Sequence, residues 1–152
     1  NHPLRTSMAT TISVAKAGKL WWRVGQLMDM VLAEKNIDGN FYGPWQERMA
    51  DWEWPILRTR LEMGMNDASS TRARGIIWMV LGHIIFHNEE ACHTSREDAV
   101  RYYTLASQNG VAKACRYLGW CYEKGYGVVQ SSQKALEYYI AGAEAGCNDC
   151  IL

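Results

Sequence analysis

Three clusters in the sequence carry side chains of the kinds that do chemistry. The first is "HIIFHNEEACH", in which His83 and His87 stand one helical turn apart and are followed by Glu89, Glu90, Cys92 and His93. Imidazole, carboxylate and thiolate in this mixture can ligate zinc. Two histidines near a helix end also suit the helix dipole, and that plainer assignment is preferred, so no metal and no cofactor is assigned. The second cluster sets Glu47, Asp51 and Glu53 beside Trp45, Trp52 and Trp54. A carboxylate pair against an aromatic platform is what a carbohydrate-acting enzyme would use. Glu47 and Asp51 also have the ordinary i,i+4 spacing of a solvated helix face whose Trp side is buried, and this is favoured. The third is Cys147-x-x-Cys150, which no βαβ pattern surrounds, so it reads as small residues at a helix start rather than as a redox pair. No G-x-S-x-G, H-E-x-x-H, Walker-type loop or dinucleotide fingerprint occurs. No catalytic residue is assigned, and the chain is expected not to be an enzyme.

The elements that would position such groups are bounded by composition. Sixteen basic and sixteen acidic side chains cancel, so no global field draws the chain to nucleic acid or to an anionic membrane. Arg58, Arg60, Arg72 and Arg74 could touch phosphates, but without a net positive domain nucleic acid is not an expected partner. Seven Trp and eight Tyr against two Phe favour positions with one edge packed and the other meeting solvent or a partner. The longest apolar run, "GIIWMVLGHIIF", has twelve residues where a membrane span needs about twenty, so it reads as a buried helix. No basic segment followed by an apolar one stands near the start, so no signal peptide is expected there, and residues 1–14 are set aside as a tail. Five cysteines are odd in number, and their pairing and compartment stay open.

The second half repeats itself. Laying residues 97–114 over 133–150 matches Ala99 with Ala135, Tyr102-Tyr103 with Tyr138-Tyr139, and Gly110 with Gly146, each at an offset of 36. A period of this length signals stacked helical hairpins, each unable to cover its own apolar face. Leu81-Gly82 precedes Leu118-Gly119 by 37, one residue out of step, and suggests a third, decayed copy. Ala114, Leu118, Gly119 and Tyr122 fall on the inner seam of a first helix. Gly125 and Gly127 supply the elbow, and Ser131 or Ser132 caps the returning helix with its face of Ala135, Tyr138, Tyr139 and Ala143.

The pattern A-x-x-x-L-G-x-x-Y-x-x-G-x-G-V, then "KALEYY", two small residues and the closing Gly146, resembles the Sel-one-like repeat, a relative of the tetratricopeptide repeat. The match is clearest over 97–150 and fainter over 75–96. The first copy has "HNEEACHTS" in place of elbow glycines, so its turn should be longer or differently shaped, and Gly142 replaces one of the usual paired alanines. In cysteine-rich bacterial members a disulfide staples each pair; Cys115 sits where one such cysteine would, but Ala143 occupies the other position. The resemblance implies an all-α, short right-handed α-solenoid of antiparallel helix pairs acting as a protein-interaction module. It implies a bacterial immunity protein that binds and neutralises a secreted toxin, or else an adaptor in an envelope, secretion or virulence system. Either would place it in a bacterial cytoplasm or periplasm, and the sequence does not choose between them.

Upstream, residues 15–74 are expected to be divergent helices and 75–152 the repeats, all in one domain, with the last repeat cut short at "CNDCIL". A helix over 15–36 carries the stripe Leu20, Val24, Leu27, Met28 and Val31 and ends at "IDGN". Over 43–64, Pro44 starts a helix and Pro55 breaks it, giving two segments or a bend near Trp54. A third helix covers about 70–87, capped by Asp67, Ser69 or Ser70. Repeat stacks present the outer side of their first helices as a concave surface. There Arg116, Trp120 and Glu123, with Met79, His83 and Phe86 at the same offsets one copy earlier, form the expected partner-binding stripe. The uncapped last repeat is expected to suit a homodimer.

Overall fold

The computed structural model describes residues 14–32 and 51–146, and among these there are helices and no strand. They are α1 (Val14–Leu32), α2 (Glu53–Asp67), α3 (Thr71–His87), the short α4 (Glu89–Cys92), α5 (Arg96–Gln108), α6 (Ala112–Lys124) and α7 (Ser132–Glu144). The described part of the chain is all-α, and its helices pack chiefly with their sequence neighbours: α1 on α2, α3 on α5, α5 on α6, and α6 on α7. This is the contact pattern of a solenoid, in which each pair covers the apolar face of the one before it.

In the first half, Leu20, Val24 and Met28 of α1 are buried, while the side chains of Leu27 and Val31 and the segment "IDGN" lie outside the described residues. Pro44, Trp45 and Glu47 also lie outside them. Pro55 does not break a helix. Because α2 begins at Glu53, Pro55 falls in its first turn, where the N–H groups have no intrahelical acceptor and a missing donor costs nothing. Ser70 caps α3, its Oγ accepting from Ala73 N at 3.0 Å. Nearly every position of α3 from Gly75 to Phe86 is buried, as expected of a helix apolar on all sides.

The two helix pairs are built alike. A Cβ added to Gly82 would lie 3.0 Å from Tyr103 Cδ1, and one added to Gly119 would lie 2.6 Å from Tyr139 Cε1. In each pair a tyrosine of the returning helix therefore lies flat on the glycine of the first. Both glycines stand five residues before their helix ends, and both tyrosines seven residues after the next helix starts. The step from 36 to 37 arises in between: residues 88–95 separate α3 from α5, eight in all, whereas 125–131 separate α6 from α7, seven in all. The first elbow uses its extra residue in α4, which ends on His93 at φ 53°. Asp98 fixes the start of α5, accepting from Ser95 N at 3.1 Å, a cap that no motif in the sequence analysis picked out.

The second elbow turns at Gly125, the left-handed cap of α6, and Ser131 Oγ caps α7 by accepting from Lys134 N at 3.2 Å. The inner face of α7 runs through Ala135 and Gly142, seven residues apart, which are buried. Ala143, expected on that face, is exposed because it stands eight residues from Ala135 and so turns past the seam. Gly146 follows the last turn with its N–H donating to Ala143 O at 3.1 Å.

Candidate functional site

The stripe expected from the sequence is a contiguous structure, but its two halves differ in access. Phe86 of α3 and Trp120 of α6 have ring centroids 5.1 Å apart, and His83 stands 5.1 Å from Tyr117. Met79, His83 and Phe86 are only 4%, 6% and 3% exposed, which corrects the expectation that they face a partner. The reason is that α3 is enclosed by α2, α5 and the side chains of α6. Arg116 and Glu123 are exposed and Trp120 is half-buried.

Each of those three outer residues is held in place. Trp120 rests on Phe86 and meets Tyr126 of the second elbow edge-on, with centroids 5.1 Å apart. Arg116 lies over the Tyr117 ring at 5.5 Å. Glu123 Oε1 accepts a hydrogen bond from Tyr139 Oη at 2.9 Å, tying the end of α6 to α7. Behind them Arg96 stacks over both Phe86 and Tyr126, at 4.5 and 4.7 Å, and pairs with Glu89 at 3.4 Å. This guanidinium joins the first elbow to the second, a role that the spacing of single residues did not signal.

Ala114 and Leu118 have no exposed surface, and Gly119 is buried with them beneath Tyr139. Tyr122 stacks on Tyr138 at 5.5 Å. Gly127, at φ +73°, sits so near α5 that an added Cβ would lie 2.5 Å from Arg96 O. The second elbow is therefore seated on the start of α5, and this contact sets the position of Tyr126 under Trp120.

His83 Nδ1 lies 3.2 Å from Tyr103 Oη, and burial, reinforced by His87, Lys113 and Arg116, pushes its pKa down to about 3. Burial, then Arg96, also lowers His87. Both rings favour the neutral form, so the imidazolium pairing with the helix dipole expected from the sequence is not what the burial supports. Among the described residues no group of three or more His, Cys, Asp or Glu is placed to hold a metal ion. Burial pushes the thiols of Cys92 and Cys121 up to about 12, which disfavours thiolate chemistry. Asp51 is exposed just before α2, and its proposed companion Glu47, like Cys147 and Cys150, lies outside the described residues. No described helix is long and apolar enough to cross a membrane.

Comparison with known proteins agrees with this geometry. The Sel1 repeat family model matches residues 94–111 and 112–147. The match leaves out α3, although α3 packs on α5 as α6 packs on α7. The chain is 39% identical over 54 residues to "DAP3-binding cell death enhancer 1" of Rattus norvegicus, a stretch that is 36% of this chain and 11% of that protein. The segment 94–147, which holds α5, the Leu118-Gly119 seam of α6 and the returning α7, is thus made of Sel1 repeats.

Proposed function

We propose that the chain is a non-enzymatic protein-interaction module that docks a partner protein on the outer side of α6, through Arg116, Trp120 and Glu123. The observation that carries this is Trp120, partly open to solvent yet fixed on Phe86 and Tyr126. Trp and Arg are the residue types that most often dominate binding energy, and side chains already held in place lose little conformational freedom on association. Met79, His83 and Phe86 act as the support beneath.

The role of adaptor is favoured, because the rat relative is named for binding another protein. Neutralising a secreted antibacterial toxin, as an immunity protein does, is a narrower version that uses the same stripe to cover a toxin's active-site cleft. Its test is co-expression with toxins encoded beside the gene: rescue that is lost in Trp120→Ala supports it, and failure to bind or inhibit any of them removes it. For the adaptor role, a photoreactive residue at position 116 identifies the partner, which is then purified and titrated. Trp120→Ala is expected to weaken that complex tenfold or more, as hot-spot truncations of about 2 kcal/mol do, without lowering thermal stability to match. Unchanged affinity in Trp120→Ala and Arg116→Ala together would overturn the assignment. Self-association through α7 is a second reading, favoured by Leu136 and Ile140, which are 46% and 47% exposed where Val100, one repeat earlier, is 7% exposed. Sedimentation at increasing concentration tests it, with a single monomeric species in both wild type and Leu136→Glu counting against it.

A further inference from the structure

A separate groove lies between α2 and α5, with α3 as its floor, and encloses about 530 Å³. That is the size range of ligand sites, roughly 300–1,000 Å³. Trp54, Arg58 and Glu62 line it from successive turns of α2, Trp78 from α3, and Asp98 and Tyr102 from adjacent turns of α5. None of them belongs to the α6 stripe.

Trp78 and Tyr102 stack with centroids 5.3 Å apart and planes 20° from parallel, so that each ring holds the other in place across two helices. Two carboxylates border the stack, each paired with an arginine of this chain. Asp98 is anchored by Ser95 N and Oγ, at 3.1 and 3.2 Å, and pairs outward with Arg101, whose side chain is 71% exposed. Glu62 pairs with Arg58 at 3.3 Å, both side chains being 58% exposed. Exposed pairs of this kind hold with about 0–1 kcal/mol, so an incoming cation can replace either arginine.

We infer that this groove takes an arginine side chain from an extended segment of a partner protein. The guanidinium lies over the outer face of the Trp78–Tyr102 stack, whose negative charge attracts it, and Asp98 and Glu62 pair with its N–H groups in exchange for their present arginine partners. Arginine fits better than lysine because its planar head stacks and forms paired hydrogen bonds at once.

The test follows the indole N–H resonances of Trp54 and Trp78 in the 152-residue chain during titration with acetyl-Ala-Arg-Leu-amide. The same peptide with citrulline, the neutral isostere, is the control. Saturable shifts at both indoles are expected with the arginyl peptide, at least about fivefold tighter than with the citrulline peptide. Asp98→Asn retains an acceptor for Ser95, and Glu62→Gln retains shape; each is expected to weaken binding about three- to fivefold with helix content unchanged. Trp120→Ala leaves the titration unaltered, which separates this groove from the α6 stripe. Equal binding of the citrulline peptide, no shift at either indole, or unaltered affinity in the Asp98→Asn, Glu62→Gln double variant would overturn the inference.

Discussion

Gly127 offers the sharpest perturbation of how one repeat sits on the next. Its φ of +73° lies in the left-handed region, which costs a residue with a side chain about 1–2 kcal/mol. An added Cβ would also stand 2.5 Å from Arg96 O, 2.6 Å from Arg96 C and 2.9 Å from Glu97 N. These are backbone atoms in the first turn of α5, so the clash cannot be relieved by turning a side chain; the elbow must lift away, at about 1–3 kcal/mol. Gly127→Ala should therefore lose about 2–5 kcal/mol in all. Gly110 separates the two contributions, since it has φ +85° but nothing within 4 Å of an added Cβ. Gly110→Ala should lose only the conformational part, about 1–2 kcal/mol. Urea unfolding of both variants measures the difference, and in thermal scans each kcal/mol should appear as a shift of about 2–4 °C for a chain of this size. Near-UV circular dichroism should change more in Gly127→Ala, because Tyr126 shifts beneath Trp120. Equal losses from the two substitutions would refute the claim that the second elbow is seated on α5.

Two further tests probe the core. His83 binds its proton at about pH 3 in the fold and near 6.5 when unfolded, so the unfolded state holds more protons between those values. The stability that its neutral form contributes is full above about pH 6.5 and is lost as pH falls toward 3, amounting to about 2 kcal/mol by pH 5. His83→Gln should remove this acid-sensitive part, so that stability measured from pH 7 to pH 5 falls less than in wild type; parallel profiles would contradict the burial argument. Leu118 is wholly buried and Leu136 is 46% exposed, so Leu118→Ala should cost about 2–5 kcal/mol and Leu136→Ala less than about 1, read from chemical denaturation.

Much of this architecture was legible because backbone approach leaves a mark in sequence. Only a glycine allows Tyr139 to lie as close as it does to Gly119, and the Leu-Gly pairs at 81–82 and 118–119 mark that seam in the sequence. Their 37-residue spacing even recorded the extra residue of the first elbow. Exposure was less readable. Met79, His83 and Phe86 share their angular position with Arg116, Trp120 and Glu123, but angular position does not say how many neighbours a helix has, and α3 has them on several sides. The all-round apolar character of "GIIWMVLGHIIF" was the better guide. Pro55 misled for a related reason, since its effect depends on where α2 begins and not on the residue itself. The α2–α5 groove left only faint traces, the four-residue steps from Trp54 to Arg58 to Glu62 and from Asp98 to Tyr102. Their meeting depends on how three helices pack, which periodicity does not encode.

Successive helix pairs stack so that Trp120 is held on Phe86. A double-mutant cycle on unfolding free energy, combining Phe86→Leu with Trp120→Leu, measures that contact most directly. Rings 5.1 Å apart should give a coupling of about 0.5–1.5 kcal/mol. Strict additivity of the two substitutions would show that the rings do not touch and that α3 does not support the face of α6.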